Sequence, residues 1–125
     1  EPGVLNIVGI LGMKAGLELL LEKGIPQVSE QLLRLKARLM AGLEPLGFRF
    51  LGPATGTNAS GISTAYRLPG TGPAEDKVYE HLTAQRISPS LRYDRTGRAH
   101  LRFSPHFYNT EAEMDRVIEQ IAACP

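Results

Sequence analysis

The chain has 125 residues, enough for one domain with a buried core, and its 42% hydrophobic and 22% charged residues are ordinary for a globular fold. A net charge of +1 argues against a general polyanion binder, and a single cysteine, Cys124, excludes an internal disulfide and any cysteine-based zinc site. No apolar run reaches the length of a membrane span and no signal peptide is visible, so a cytoplasmic location with no membrane partner is the expectation.

From Asn6 to Lys23 the residues Ile7, Val8, Ile10, Leu11, Met13, Leu17, Leu19, Leu20 and Leu21 make a helix that is apolar on more than one side. Gly9, Gly12 and Gly16 each cost it roughly 1 kcal/mol relative to alanine, so it needs a packing partner, and a covering surface from another domain or subunit is expected. Pro26 opens a second helix in which Val28, Leu32, Leu35, Leu39 and Leu43 repeat at spacings of three and four. Arg34, Lys36 and Arg38 are expected on its charged solvent face. Pro45 and Gly47 end it.

Phe48 to Leu51 reads as a short strand, and the run from Gly52 to Gly61 as a polar loop lacking the spacing and lysine of a phosphate loop. Ile62, Thr64, Tyr66 and Leu68 alternate with Gly61, Ser63, Ala65 and Arg67 as a second strand. The breaker run Pro69 to Pro73 precedes a helix from about Ala74 to Gln85, with Val78, Tyr79 and Leu82 inward and Glu75 and Asp76 in its first turn. Ile87 begins the next strand. A three-residue loop of Arg95, Thr96 and left-handed Gly97 pairs Tyr93 with Ala99, Leu91 with Leu101 and Pro89 with Phe103, which keeps apolar opposite apolar.

That register collects Ser88, Ser90, Arg92, His100, Arg102 and Ser104 on the other face. Hydroxyls and guanidiniums together suit a carboxylate or phosphate, because arginine offers a planar fork to two oxygens. Pro105 ends the strand, and Thr110 with Glu113 spells a capping box that starts a last helix with Met114, Val117, Ile118 and Ile121 as its apolar stripe. His100 and His106 have no acid or nucleophile nearby in sequence, so a structural hydrogen bond is expected of each. Cys124 falls at the frayed end of the last helix.

Arg102, Ser104 and Phe107-Tyr108-Asn109-Thr110, followed by Glu113, Asp115 and Arg116, resemble the R-x-S-x-x-x-YNT-x-x-E-x-D-R segment of class V aminotransferases. That family includes cysteine desulfurases, selenocysteine lyases, kynureninases and isopenicillin N epimerase-like proteins, all dependent on pyridoxal phosphate. The opening Glu1-Pro2-Gly3-Val4-Leu5-Asn6 resembles the family's E-x-G-T-x-N, with Val4 in place of the threonine that touches the cofactor phosphate of the neighbouring subunit. Only a backbone N–H of Gly3 or Val4 could serve there. The resemblance implies a substrate α-carboxylate bound by Arg102, with Arg92, Ser90 and His106 as second choices, and no catalytic residue within these 125.

The fold expected is α+β, an antiparallel sheet of about four strands with helices packed on it, preceded by a long linker helix. Residues 1–25 are read as the linker to a pyridoxal-phosphate-binding large domain and 26–125 as the C-terminal small domain. Glu1-Pro2-Gly3 reads as the opening of a piece of something longer. The implied partners are that large domain, a homodimer mate and an amino-acid substrate. Ile87 to Leu101 holds no cysteine, which disfavours a persulfide-forming desulfurase and favours an aminotransferase, epimerase or lyase relative. Two other readings stand beside it. One is a basic sheet module for single-stranded nucleic acid, built on Arg86, Arg92, Arg95, Arg98 and Arg102, against which Tyr93 and Phe103 fall on the core face. The other is a regulatory amino-acid-binding domain.

Overall fold

Apolar residues at spacings of three and four make four helices here, and alternating residues make four strands. The computed structural model describes residues 3, 5–56 and 58–125, so Val4 and Thr57 of the polar loop lie outside the described residues. Helices α1 (Ile7–Lys23) and α2 (Ile25–Leu43) come first. A 3-10 turn at Glu44–Leu46 then leads into strands β1 (Phe48–Leu51) and β2 (Ser63–Arg67). Helix α3 (Glu75–Ala84), the hairpin β3 (Ser90–Tyr93) and β4 (Ala99–Phe103), and helix α4 (Glu111–Ala122) complete the chain. The strands form one antiparallel sheet in the order β1-β2-β4-β3, so the fold is α+β.

The hairpin has the expected register: Leu91 lies opposite Leu101 and Tyr93 opposite Ala99. Gly97 takes φ +83°, a conformation that a side chain disfavours, and Asp94 Oδ1 accepts from the backbone N–H groups of Thr96 and Arg98. The register carries across to β2, where Ser63 faces Phe103, Thr64 faces Arg102 and Ala65 faces Leu101. One side of the sheet thereby presents Phe48, Ala65, Leu101 and Phe103. These join Leu35, Leu39 and Leu43 of α2, Val78 and Leu82 of α3, and Met114, Val117 and Ile121 of α4 in a single core. Helices α2 and α4 touch closely because Gly42 leaves room for Ile118, whose side chain a Cβ there would strike. Arg38 braces the same pair with bonds to Asp115 and Glu111.

Several sequence expectations need correction. Lys36 is not on a solvent face: it is 3% exposed, and its Nζ donates to the carbonyls of Pro53 at 2.8 Å and Ser60 at 3.0 Å. A long stem crosses the apolar layer and the ammonium ties down the loop after β1. On β2 the smaller set, Ser63 and Ala65, points into the core with Arg67, whose guanidinium covers the Phe48 ring at 4.4 Å and donates to Pro73 O. Burial pushes the Arg67 pKa down, against the opposing pull of Glu75. Strand β3 starts at Ser90 rather than Ile87, because Ile87 N–H is already used on Leu82 O at the end of α3. Tyr93, on the core side by register, is 63% exposed, since it lies on the edge strand at the far end of the hairpin from Phe103.

Helix α1 has no buried residue. Leu20 is half-buried, and the other large apolar side chains of the helix are exposed, from Ile10 at 47% to Val8 at 81%. Among the described residues, no helix is long and apolar enough to cross a membrane.

Candidate functional site

The face of the sheet away from the core is set by the strand alternation. It carries Arg49 and Leu51 of β1, Thr64 and Tyr66 of β2, His100 and Arg102 of β4, and Ser90 and Arg92 of β3. Arg102 sits between Thr64 on one neighbouring strand and Ser90 on the other. It is half-buried. Its Nη2 reaches Ser90 Oγ at 3.5 Å, a long contact, and its buried Nε has no hydrogen-bond partner among the described residues. A buried guanidinium N–H without an acceptor is uncommon and unfavourable, and a planar carboxylate is the ligand whose two oxygens match the fork.

His100 lies next along the strand, 6% exposed and covered by Tyr66, whose ring centroid is 5.2 Å away. Its Nδ1 is 3.0 Å from Arg98 O, the structural bond expected of it. Arg98 in turn places its guanidinium 5.6 Å from the Tyr66 ring centre. Arg92 pairs with His100 across the hairpin and is exposed. Among the described residues no carboxylate forms an ion pair with Arg92, Arg98 or Arg102. The nearest acid in sequence, Asp94, is consumed by its own turn. The Thr96 hydroxyl foremost, then the Arg98 backbone N–H, holds its carboxyl below the usual range. The face is therefore cationic, with Arg102 the most enclosed of its arginines.

Ser90, Arg92 and Arg102 thus share one surface, as expected. His106 lies past the end of β4 and is not placed by the strand alternation: its exposed ring packs 4.8 Å from Tyr108 and 4.7 Å from Phe107, and its backbone N–H donates to Asn109 Oδ1. Stacking therefore replaces the side-chain hydrogen bond expected for it. Gly3 is exposed ahead of α1, and Val4 lies outside the described residues. Cys124 is half-buried against the core rather than frayed into solvent. Sequence reasoning missed Thr64 and Tyr66, because β2 reaches β4 only through a pairing between strands distant in the chain. The signal available was Thr64 and Tyr66 themselves, polar-tipped residues alternating with the small Ser63 and Ala65.

The four lysines stand on helices, Lys14 and Lys23 on α1, Lys36 on α2 and Lys77 on α3, and none is on the sheet that carries Arg102. Lys36 is already committed to two carbonyls. The residues present fit a carboxylate; they do not fit the lysine-held end of pyridoxal phosphate. Among the described residues no group of His, Cys, Asp or Glu could hold a metal ion.

A sheet of this order with helices on one face is a fold shared with solved enzymes. A NifS-like protein superposes with a TM-score of 0.80 at 23% identity over 97% of this chain and 34% of its own. The apo cysteine desulfurase from Thermococcus onnurineus NA1 gives 0.81 at 23% over 95% of this chain and 31% of its own. A serine palmitoyltransferase from S. paucimobilis, carrying a PLP–myriocin aldimine, gives 0.57 at 22% over 76% of this chain and 23% of its own. This chain has the fold of a part of these proteins and spans about a third of the length of the first two. No protein-family model matches the sequence, and no curated protein is similar to it.

Proposed function

We propose that this chain is the small domain of a pyridoxal-phosphate enzyme of the class V aminotransferase family, and that Arg102 binds the α-carboxylate of its amino-acid substrate. The observation that carries the reading is the Arg102 guanidinium itself: half-buried on a cationic sheet face, with one long hydrogen bond, to Ser90, and a buried Nε without an acceptor among the described residues. The R-x-S-x-x-x-YNT-x-x-E-x-D-R resemblance at Arg102 to Arg116 supports it. So does a fold shared with a part of a cysteine desulfurase and of a serine palmitoyltransferase.

In this reading residues 1–25 link to a large domain that bears the cofactor lysine, residues 26–125 form the small domain, and the enzyme works as a cytoplasmic homodimer. The cofactor chemistry belongs to that other domain, and this chain contributes binding and orientation. Arg102 fixes one end of the substrate, so that the bonds at Cα take a single direction. Ser90 steadies the guanidinium, and Arg92 adds positive charge on the same face. Gly3 and Val4 are assigned, at most, backbone contacts to the neighbouring subunit's cofactor. With no cysteine between Ile87 and Leu101, aminotransferase, epimerase or lyase chemistry is preferred to persulfide formation.

A single-stranded nucleic-acid module is the weaker reading. Tyr66 is the one aromatic side chain, histidine aside, that the described strands put on the outer face, and its ring is engaged with His100 and Arg98. Successive bases need successive aromatic platforms. In the intact enzyme, Arg102→Ala is expected to lower kcat/KM for the amino acid by about tenfold to a hundredfold, as for a charge-assisted pair, while the cofactor's visible absorbance stays in place. Arg102→Lys recovers only part, lacking the fork. Unchanged kcat/KM in Arg102→Ala would sink the assignment and move attention to Arg92.

A further inference from the structure

A second cationic site lies elsewhere, between the end of α3 and the first turns of α4. The cleft there encloses about 260 Å³. Phe103, Met114 and Val117 give it an apolar floor, and Arg86, Arg116 and Glu113 stand at its rim.

Arg86 is the anomaly. Helix α3 ends in a Schellman motif: Arg86 N–H bonds Thr83 O at 3.0 Å and Ile87 N–H bonds Leu82 O at 2.9 Å. The motif demands a left-handed residue at position 86, and Arg86 takes φ +60°, the one described non-glycine residue with a positive φ. Glycine is the favoured occupant of that position. Among the described residues the Arg86 side chain makes no hydrogen bond and no ion pair, so the cap bonds explain the left-handed backbone but not the choice of arginine over glycine there. Arg116 does have a structural part, since its Nη2 donates to Gln85 O at 2.9 Å. That bond ties its guanidinium to the backbone carbonyl just before Arg86, both residues line the cleft, and its other N–H groups are unbonded among the described residues.

Glu113 decides the charge of the ligand. Its Oε2 accepts from Thr110 N–H, Thr110 Oγ1 and Asn109 Nδ2, so it is turned into the first turn of α4 and does not pair with either arginine. Two guanidiniums against one carboxylate leave a single net positive charge over an apolar floor. That favours a monoanion with a hydrophobic body over a phosphate dianion.

We propose that this cleft binds a carboxylate with a short apolar chain, its carboxyl group held by Arg86 and Arg116 and its chain on Phe103, Met114 and Val117. The site is separate from Arg102, which points from the opposite face of β4 to Phe103.

The test titrates hexanoate, and the uncharged hexanol as its control, into the full chain while following the methyl signals of Met114 and Val117. The Met13 and Met40 methyls serve as references. Saturable movement of the Met114 and Val117 signals by hexanoate, with hexanol much weaker, is expected. Arg86→Gly should weaken hexanoate about threefold to tenfold, between an exposed ion pair and a charge-assisted bond, while its thermal midpoint stays level or rises because the backbone strain is gone. Arg116→Gln should weaken it as well. Arg102→Ala should leave the Met114 response intact, so failure here and failure of the Arg102 assignment read separately. Hexanol binding as tightly as hexanoate, Arg86→Gly binding like the parent, or no saturable shift would each overturn the proposal.

Discussion

Lys36 shows how a single charge can belong to the core. The leucine repeat of α2 was plain in the sequence, and Lys36 beside it looked like one more solvated cation. Nothing local says that carbonyls of Pro53 and Ser60 wait above it, because the loop that presents them is set by long-range contacts. Lys36→Met keeps the stem and removes both bonds. Since bonds to a charged group contribute about 1.5–3 kcal/mol, we expect a loss of about 2–3 kcal/mol in denaturant unfolding, with the described loop residues 52–56 and 58–61 losing exchange protection first. Thr110 and Glu113 lie at the other extreme, because the capping box was fully legible and both of its bonds form. Thr110→Ala is expected to destabilise by about 1 kcal/mol. The Thr110 backbone N–H chiefly, then the Asn109 amide and Thr110 hydroxyl, hold the Glu113 carboxyl below its ordinary pKa of about 4.3. A depressed folded pKa means that the contribution is fully present above that ordinary value and is lost as pH falls through the folded one. The stability gap between the parent and Glu113→Gln, measured by chemical unfolding, should therefore narrow steadily on acidification below about pH 5. A gap independent of pH would show that the carboxylate charge contributes nothing.

Among the elements, the register of the β3–β4 hairpin was readable, though not where β3 begins, because two constraints agreed: a glycine able to take positive φ, and apolar residues that match only in one register. Helices α2, α3 and α4 were readable for the same kind of reason, combining a cap or breaker with a periodic stripe, whereas α1 was read from an apolar run without one face. What escaped was the placing of β2. The alternation of Ile62, Thr64, Tyr66 and Leu68 with Gly61, Ser63, Ala65 and Arg67 left the inward set open, and a strand between β1 and β4 buries Ser63, Ala65 and Arg67. Small side chains fit where helices pack close to the sheet, and Arg67 is admitted only because Phe48 and Pro73 O receive it. The candidate site was half-legible on the same grounds. Ser90, Arg92 and Arg102 followed from the hairpin, whereas Thr64 and Tyr66 depended on the distant pairing. His106, a second choice with the family resemblance, stacks on its aromatic neighbours Phe107 and Tyr108 past the end of β4.

For the molecule as a whole, the imbalance between its two ends is the main physical fact. Helices α2, α3 and α4 close one core with the sheet, while α1 buries none of its residues. A helix held by propensity alone is marginal, and glycines at 9, 12 and 16 weaken this one further. In dilute solution of the chain, α1 amides are therefore expected to exchange much faster than those of α2 between Val28 and Leu43. Equal protection would mean that α1 is stable without a cover. The chain spans about a third of the length of the NifS-like protein and the cysteine desulfurase that share its fold, and the proposed function gives α1 its cover in a large domain. The central claim is that Arg102 recognises an α-carboxylate. Its most direct measurement is a two-by-two comparison in the intact enzyme, parent and Arg102→Ala, each with an amino acid and with its carboxamide. The parent should prefer the amino acid by about tenfold to a hundredfold in kcat/KM, and Arg102→Ala should lose that preference. If Arg102→Ala discriminated the amino acid from its carboxamide as sharply as the parent does, the carboxylate would be read by another residue and the account would be wrong.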